Sequence, residues 1–232
     1  MSTPVEGESL FTPRNFAAFL LVSAIWGGTW LVIRDQIASV PASWSISYRF
    51  IVAALGMFAL AAIRRERLSL APGGMRWACL LGLFQFTLNF AFVYNAESYI
   101  TSGLVAVMFA LLVVPNAIFG RIFLGQQITG PFVVGSAIAA IGVAMLFAHE
   151  WQSSPATLSE VLLGAGLTVC GILSASAANI TQAMEGAKKQ PFLALLAWSM
   201  AIGVVINSVF AWATSGPPQF DTRTSYSLGI LY

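Results

Sequence analysis

Residues 99–147 read YITSGLVAVMFALLVVPNAIFGRIFLGQQITGPFVVGSAIAAIGVAMLF, two long apolar segments joined by a short polar elbow. No charged side chain occurs from Tyr99 to Phe119, and none from Ile128 to Phe147. At about 1.5 Å per helical residue, each run can cross a hydrocarbon core roughly 30 Å thick. The elbow at 120–127 carries Gly120, Arg121, Gly125, Gln126 and Gln127, and is too short for anything except a direct return through the bilayer. The stretch predicts a membrane-spanning helical hairpin.

The rest of the chain repeats that pattern. Of 232 residues, 58% are hydrophobic and only 9% charged, with a mean hydropathy of +0.81, so there is too little polar surface to coat a water-soluble domain. On a window of about 19 residues, apolar runs fall at 16–33, 43–63, 76–95, 99–119, 128–148, 159–183 and 191–213, and an eighth begins near Ser225. The fold class is therefore all-α, a polytopic helical membrane protein with seven complete spans and a C-terminal stub. The connections are short and leave no room for a soluble domain.

Basic residues set the expected orientation. With a cytoplasmic N-terminus, Arg14, Arg64, Arg65, Arg67, Arg76, Arg121, Lys188 and Lys189 lie inside, and only Arg34 and Arg223 lie outside, which is the positive-inside bias. Asp35, Glu97, Glu150, Glu160 and Asp221 fall on the outer side. Glu6 and Glu8 precede the first run and no small-residue cleavage site follows it, so that run is expected to stay as a helix rather than be removed as a signal peptide. The expected location is the inner or plasma membrane.

Several chemistries lack their residues. An intramembrane serine protease needs Ser and His at membrane depth, yet the single histidine, His149, sits at the outer end of the fifth run. An aspartyl type needs two intramembrane Asp, and Asp35 and Asp221 are in loops. A retinal protein needs a buried Lys, and Lys188 and Lys189 lie in a cytoplasmic loop. Cys79 and Cys170 sit in apolar segments without His or Cys neighbours at ligand spacing, so they are read as small core residues, with no disulfide and no metal. No enzyme activity, cofactor or nucleic-acid partner is expected.

The polar groups within the runs are mostly neutral. Gln85 and Asn89 are four apart and share a helix face. Asn116 follows Pro115, which removes the donor to the Leu111 carbonyl and favours a kink. Thr168, Ser174, Ser176 and Asn179 give the sixth helix a polar side, suited either to interhelical hydrogen bonds or to a pathway lining. Trp44, Tyr99 and Trp151 fall at outer interfaces, where amphipathic rings anchor helices. Trp26 instead lies mid-span beside Gly27 and Gly28, which let a neighbouring helix approach or open a hollow that the indole borders. Arg49, within the second run, either snorkels to the outer headgroups or turns inward to bind a substrate carboxylate or pair with Glu97. Apart from Glu160 at the outer edge of the sixth, no Asp or Glu lies inside any run, which favours facilitated movement over proton coupling.

The hairpin at 99–147, with Pro115, Leu124-Gly125, Gly135 and the ending Gly142-Val143-Ala144-Met145-Leu146, resembles the close of an EamA-type repeat of the drug/metabolite transporter superfamily. Trp26-Gly27 and Arg49-Phe50 match that family's first and second helices, while Gln126-Gln127 replaces its frequent Glu-Arg. The resemblance implies a first five-helix repeat over 1–148, an outer connecting loop over 149–158 and a partial second repeat over 159–232. The second copy echoes the first loosely, with Cys170-Gly171, Pro191 and Trp198-Ser199 against Trp26-Gly27, Pro41 and Trp44-Ser45. Five helices per unit place the two copies upside down to one another, an inverted-repeat plan with alternating access.

The function so implied is transport of a small organic metabolite such as an amino acid or related compound. Trp26, Arg49, Gln85, Asn89, Asn116 and Asn179 are the pathway candidates, and the partners are the lipid bilayer, the metabolite and a second copy in a homodimer. The alternative is a non-transporting structural or assembly subunit, or an inactive fragment. A chain ending at Tyr232 is expected to leave Asn179 and Asn207 facing lipid, to associate with itself and not to transport.

Overall fold

A computed structural model describes residues 12–153 and 157–232, so Glu6 and Glu8 lie outside the described residues. Seven helices are long and apolar enough to cross a membrane. They are α1 (Pro13–Ile37), α2 (Ala42–Ile63), α3 (Gly74–Ala96), α4 (Ser102–Leu124), α5 (Gly130–Ser153), α6 (Leu158–Ala183) and α7 (Phe192–Ser215). A single helical turn at Glu185–Lys188 joins α6 to α7, and a short α8 (Thr224–Leu231) closes the chain.

Local chemistry sets the helix ends. Thr12 caps α1 by accepting from the Asn15 N–H, and Pro13 occupies the first turn, where a missing N–H costs nothing. Thr157 and Glu160 form a reciprocal capping box at the start of α6. The elbow of the hairpin is shorter than expected. Gly120 and Arg121 belong to α4, which ends at Gly125 in the left-handed conformation (φ 67°). The expected loop at 149–158 is shortened too, because α5 runs through His149 and Trp151 to Ser153. Helix propensity continues past the last apolar residue in both places, and hydropathy cannot register that.

The connections collect at two ends. One, the basic end, carries Arg64, Arg65, Arg67, Lys188 and Lys189, and the other, the acidic end, carries Asp35, Glu97 and Asp221. Between them α3, α6 and α7 form the packed centre, with α2 laid along α7 for most of its length. Glycine permits the closest approach. A Cβ at Gly203 would stand 2.7 Å from Phe86 Cβ, and one at Gly82 would stand 2.8 Å from the Ser199 carbonyl oxygen. In α5, by contrast, Val133, Val134, Ile138, Ile141 and Met145 are all exposed, as suits a bilayer-facing helix.

Two long-range indole bonds tie α2 and α7 reciprocally. Trp44, near the start of α2, donates to the Gly216 carbonyl just past the end of α7 (3.3 Å), and Trp198, early in α7, donates to the Leu68 carbonyl beyond the end of α2 (2.9 Å). Trp44 is thus buried rather than an interface anchor, whereas Tyr99 and Trp151 stay exposed. Both cysteines are exposed, which corrects their reading as core residues. They point outward beside the equally exposed Leu80 and Val169.

The C-terminal α8 does not hang free. Its Tyr226 is fully buried with its hydroxyl 3.0 Å from Ser45 Oγ, and the Tyr232 hydroxyl donates to the Ile25 carbonyl at 2.9 Å. Gly28, not Gly27, is the point of approach expected on α1, because the Tyr232 ring sits against it. At the acidic end Arg223 binds both Asp35 (3.3 Å) and Asp221. Asp221 is held at about 2, well below the usual carboxylate range, by hydrogen bonds first from Ser39 and then from Arg223.

Candidate functional site

A cavity of about 470 Å3 lies among α1, α2, α3, α4 and α6. What shapes it is a break in α3: residues Phe84–Asn89 form a π-helical turn, wider than an α-turn. Thr87 Oγ1 donates to the Gly82 carbonyl at 3.0 Å within this turn, and the Phe86 carbonyl accepts from Asn207 Nδ2 of α7 at 2.8 Å. Neighbouring helices thereby satisfy backbone and side-chain groups that an apolar setting would otherwise leave unpaired. The wall so formed presents Gln85, Phe86, Asn89, Phe90 and Val93 to the cavity.

Five of the six candidates read from the sequence, Trp26, Arg49, Gln85, Asn89 and Asn179, line this one space. Asn116 stands behind it and accepts from Asn179 Nδ2 at 3.3 Å. Asn89 is buried and donates to the Gly171 carbonyl of α6 at 2.9 Å, so it also fastens α3 to α6. Gln85 makes no hydrogen bond among the described residues and leaves its amide free for a ligand. The expectation that Asn207 faces lipid is overturned, while Asn179 remains exposed. Asn179 opens on the cavity and Asn207 is buried against Phe86.

Arg49 turns inward. Its Nη1 donates to the Tyr94 hydroxyl at 3.3 Å, and that hydroxyl donates in turn to Gln36 Oε1 at 2.6 Å. The guanidinium also stands 5.9 Å from the centroid of the Phe90 ring. It does not pair with Glu97, whose Oε2 accepts from Ser102 Oγ at 2.6 Å. Among the described residues the ion pairs found are those of Arg223, so Arg49 enters the cavity held only by neutral groups. Its full charge in a largely apolar space is the strongest electrostatic feature of the site.

The sequence did not single out Trp30, Phe90, Phe109 and Gln182, which complete the lining. Trp30 lies one helical turn from Trp26, a spacing that could have revealed it. Gln182, three residues after Asn179, carries the same kind of mark, whereas Phe90 and Phe109 do not, since an aromatic in an apolar run reads equally well as core or as bilayer-facing. The polar side expected on α6 is mostly inward, and among the described residues only Asn179 of its four bonds another helix, at Asn116 of α4. Thr168, Ser174 and Thr181 each donate to the carbonyl four residues earlier in their own helix.

A bundle of apolar helices long enough to span a bilayer thus surrounds a side chamber lined by one cation, Arg49, and by the amides of Gln85, Asn89, Asn179 and Gln182. The chain belongs to the EamA-like transporter family, whose pattern it matches over residues 15–148. It is 30% identical over 172 residues to protein PagO of Salmonella typhimurium, covering 70% of this chain and 57% of that one. It is 31% identical over 161 residues to the uncharacterized inner membrane transporter YedA of Escherichia coli, covering 68% and 50%. An uncharacterized transporter of Buchnera aphidicola is 25% identical over 190 residues, 78% and 63%. The chain thus spans less than two thirds of the length of these relatives. No solved structure matches it.

Proposed function

We propose that the chain carries the substrate chamber of a transporter for a small organic metabolite bearing a carboxylate, an amino acid or related compound, with Arg49 as the carboxylate's partner. The observation behind this reading is that Arg49 is the one charged side chain lining the cavity among the described residues, and it has no carboxylate of its own. Guanidinium and carboxylate match in a bidentate fork. Trp26, Trp30 and Phe90 offer faces for the apolar body of the ligand, and Gln85 and Asn179 offer amides for its polar groups. The basic end faces the cytoplasm in this reading, by the positive-inside bias. The reciprocal indole bonds of α2 and α7 fit two units placed upside down to one another.

The test is binding of a panel of carboxylates and their methyl esters to the purified chain in lipid nanodiscs. An acid that binds should lose about tenfold or more on esterification and on Arg49→Gln, which is the worth of one charge-assisted pair. Arg49→Lys should recover part of that loss, because charge returns without the fork. Equal binding of acid and ester, unchanged in Arg49→Gln, would overturn the assignment.

A further inference from the structure

We propose that Glu97 and Ser102 form a proton-operated latch at the acidic end of the cavity. With Glu97 neutral it stays buried on Ser102 and the end is shut; with Glu97 ionised it is drawn into water and the end opens.

Glu97 lies one residue past the end of α3, is only 6% exposed, and is the one buried carboxylate among the described residues. Ser102 Oγ, in the first turn of α4, donates to its Oε2 at 2.6 Å, while its Oε1 is buried with no hydrogen-bond partner. An ionised carboxylate needs both oxygens solvated or paired, so this setting suits the neutral acid. The neighbouring Gln36 Nε2 on α1 is also buried without an acceptor. Both orphaned atoms would gain hydrogen bonds if water entered at this end.

The same end connects to the chamber. Tyr94, one helical turn before Glu97, bonds Gln36 and receives Arg49. Ile33 and Val93, both buried, are cavity-lining residues of α1 and α3 here. Parting α1 from the α3–α4 turn would therefore hydrate Glu97 and uncover the chamber in one movement.

The charges facing Glu97 are few. Arg34 of α1 favours the ionised form, and so does the Ser102 hydrogen bond, but burial outweighs both and pushes Glu97 up to about 7 from an ordinary 4.5. Arg49 of α2 is engaged by Tyr94. Glu160, at the start of α6, is exposed and held by Thr157, and Asp35 of α1 is taken by Arg223 of the loop before α8. The shut form thus binds the proton more tightly than the open one. Its advantage is full below 4.5 and is lost as pH rises through 7.

The test follows a thiol at Ile33 in a chain whose own exposed cysteines are removed (Cys79→Ser, Cys170→Ser), reconstituted in lipid vesicles. Ile33→Cys is labelled with a membrane-impermeant maleimide from the acidic side at successive pH values. The rate is divided by that of the same cysteine in a Glu97→Gln background, which cancels the ionisation of the thiol itself. The ratio should be near one at about pH 4 and rise by about tenfold or more by about pH 8. Ser102→Ala, which removes a bond favouring the ionised form, should move that rise to higher pH. Val93→Cys serves as a second reporter where Ile33→Cys lowers the yield of folded protein. A ratio flat with pH, or a rise that Ser102→Ala leaves in place or moves downward, overturns the latch. Labelling needs no transported substrate, so this outcome is independent of the Arg49 assignment.

Discussion

At the acidic end of the cavity Ile33, Gln36 and Tyr94 are almost wholly buried and tied across helices, whereas toward the basic end Trp26 is 60% exposed and Asn179 makes one long amide contact. The acidic end carries α8, packed against α1 and α2, in addition to side-chain bonds across helices. Bonds from Tyr94 to Gln36, Ser45 to Tyr226 and Arg223 to Asp35 each join elements far apart in sequence, and they gather at one end. At the other end α6 reaches Gln182 in its last turn with the cavity still beside it. The cavity is thus closely packed at the acidic end and more exposed toward the basic one.

The largest effect is expected from breaking the packed wall behind the cavity. Gly203→Leu places a branched side chain where even a Cβ would stand 2.7 Å from Phe86 Cβ, while a Cβ at Gly27, the start of Gly27→Leu, has no such neighbour within 4 Å. The first should destabilise the bundle by about 3 kcal/mol or more, and the second should lie within about 0.5 kcal/mol of the parent. Thermal unfolding of the purified chain in detergent compares them, and equal midpoints would deny that α3 and α7 form a rigid seam. A smaller effect is expected at the seal. Tyr94→Phe removes the donor to buried Gln36 Oε1 and the acceptor of Arg49, at a cost of about 1 to 2 kcal/mol. The same unfolding measurement should show a reduced midpoint, and Gln36→Leu combined with Tyr94→Phe should restore part of it, since two apolar groups leave no orphan.

Most of the fold was legible in the sequence because a bilayer imposes one rule, an unbroken apolar run of sufficient length, and the chain obeys it seven times. The boundaries were less legible, since helices such as α4 and α5 continue into polar residues at Arg121 and His149. The site was half visible. Arg49, Gln85 and Asn89 stood out because polar groups are costly in lipid and must face inward. Glu97 did not, because its sequence position marks a loop, and it is buried by tertiary packing around that turn, which bonds it to Ser102 and which α6 approaches at Gly164. The π-turn was likewise invisible. Nothing in FQFTLN departs from α-helical chemistry, and it forms where Asn207 and Gly203 of α7 come against Phe86.

The sealed and open ends can be told apart directly by thiol accessibility from each face of the membrane. In vesicles of known orientation, at a pH of about 5 where the shut form is favoured, single cysteines at Asn179 and Ile33 are compared with reference positions at Ser69 and Ser98, which are exposed at the basic and acidic ends. All four are placed in the chain lacking Cys79 and Cys170. Asn179→Cys should react from the same face as Ser69→Cys and should not react from the opposite face, and Ile33→Cys should be protected from the face that labels Ser98→Cys. Reaction of Asn179→Cys from the Ser98 face, or of Ile33→Cys as fast as Ser98→Cys, would contradict a chamber sealed at the acidic end and open toward the basic one.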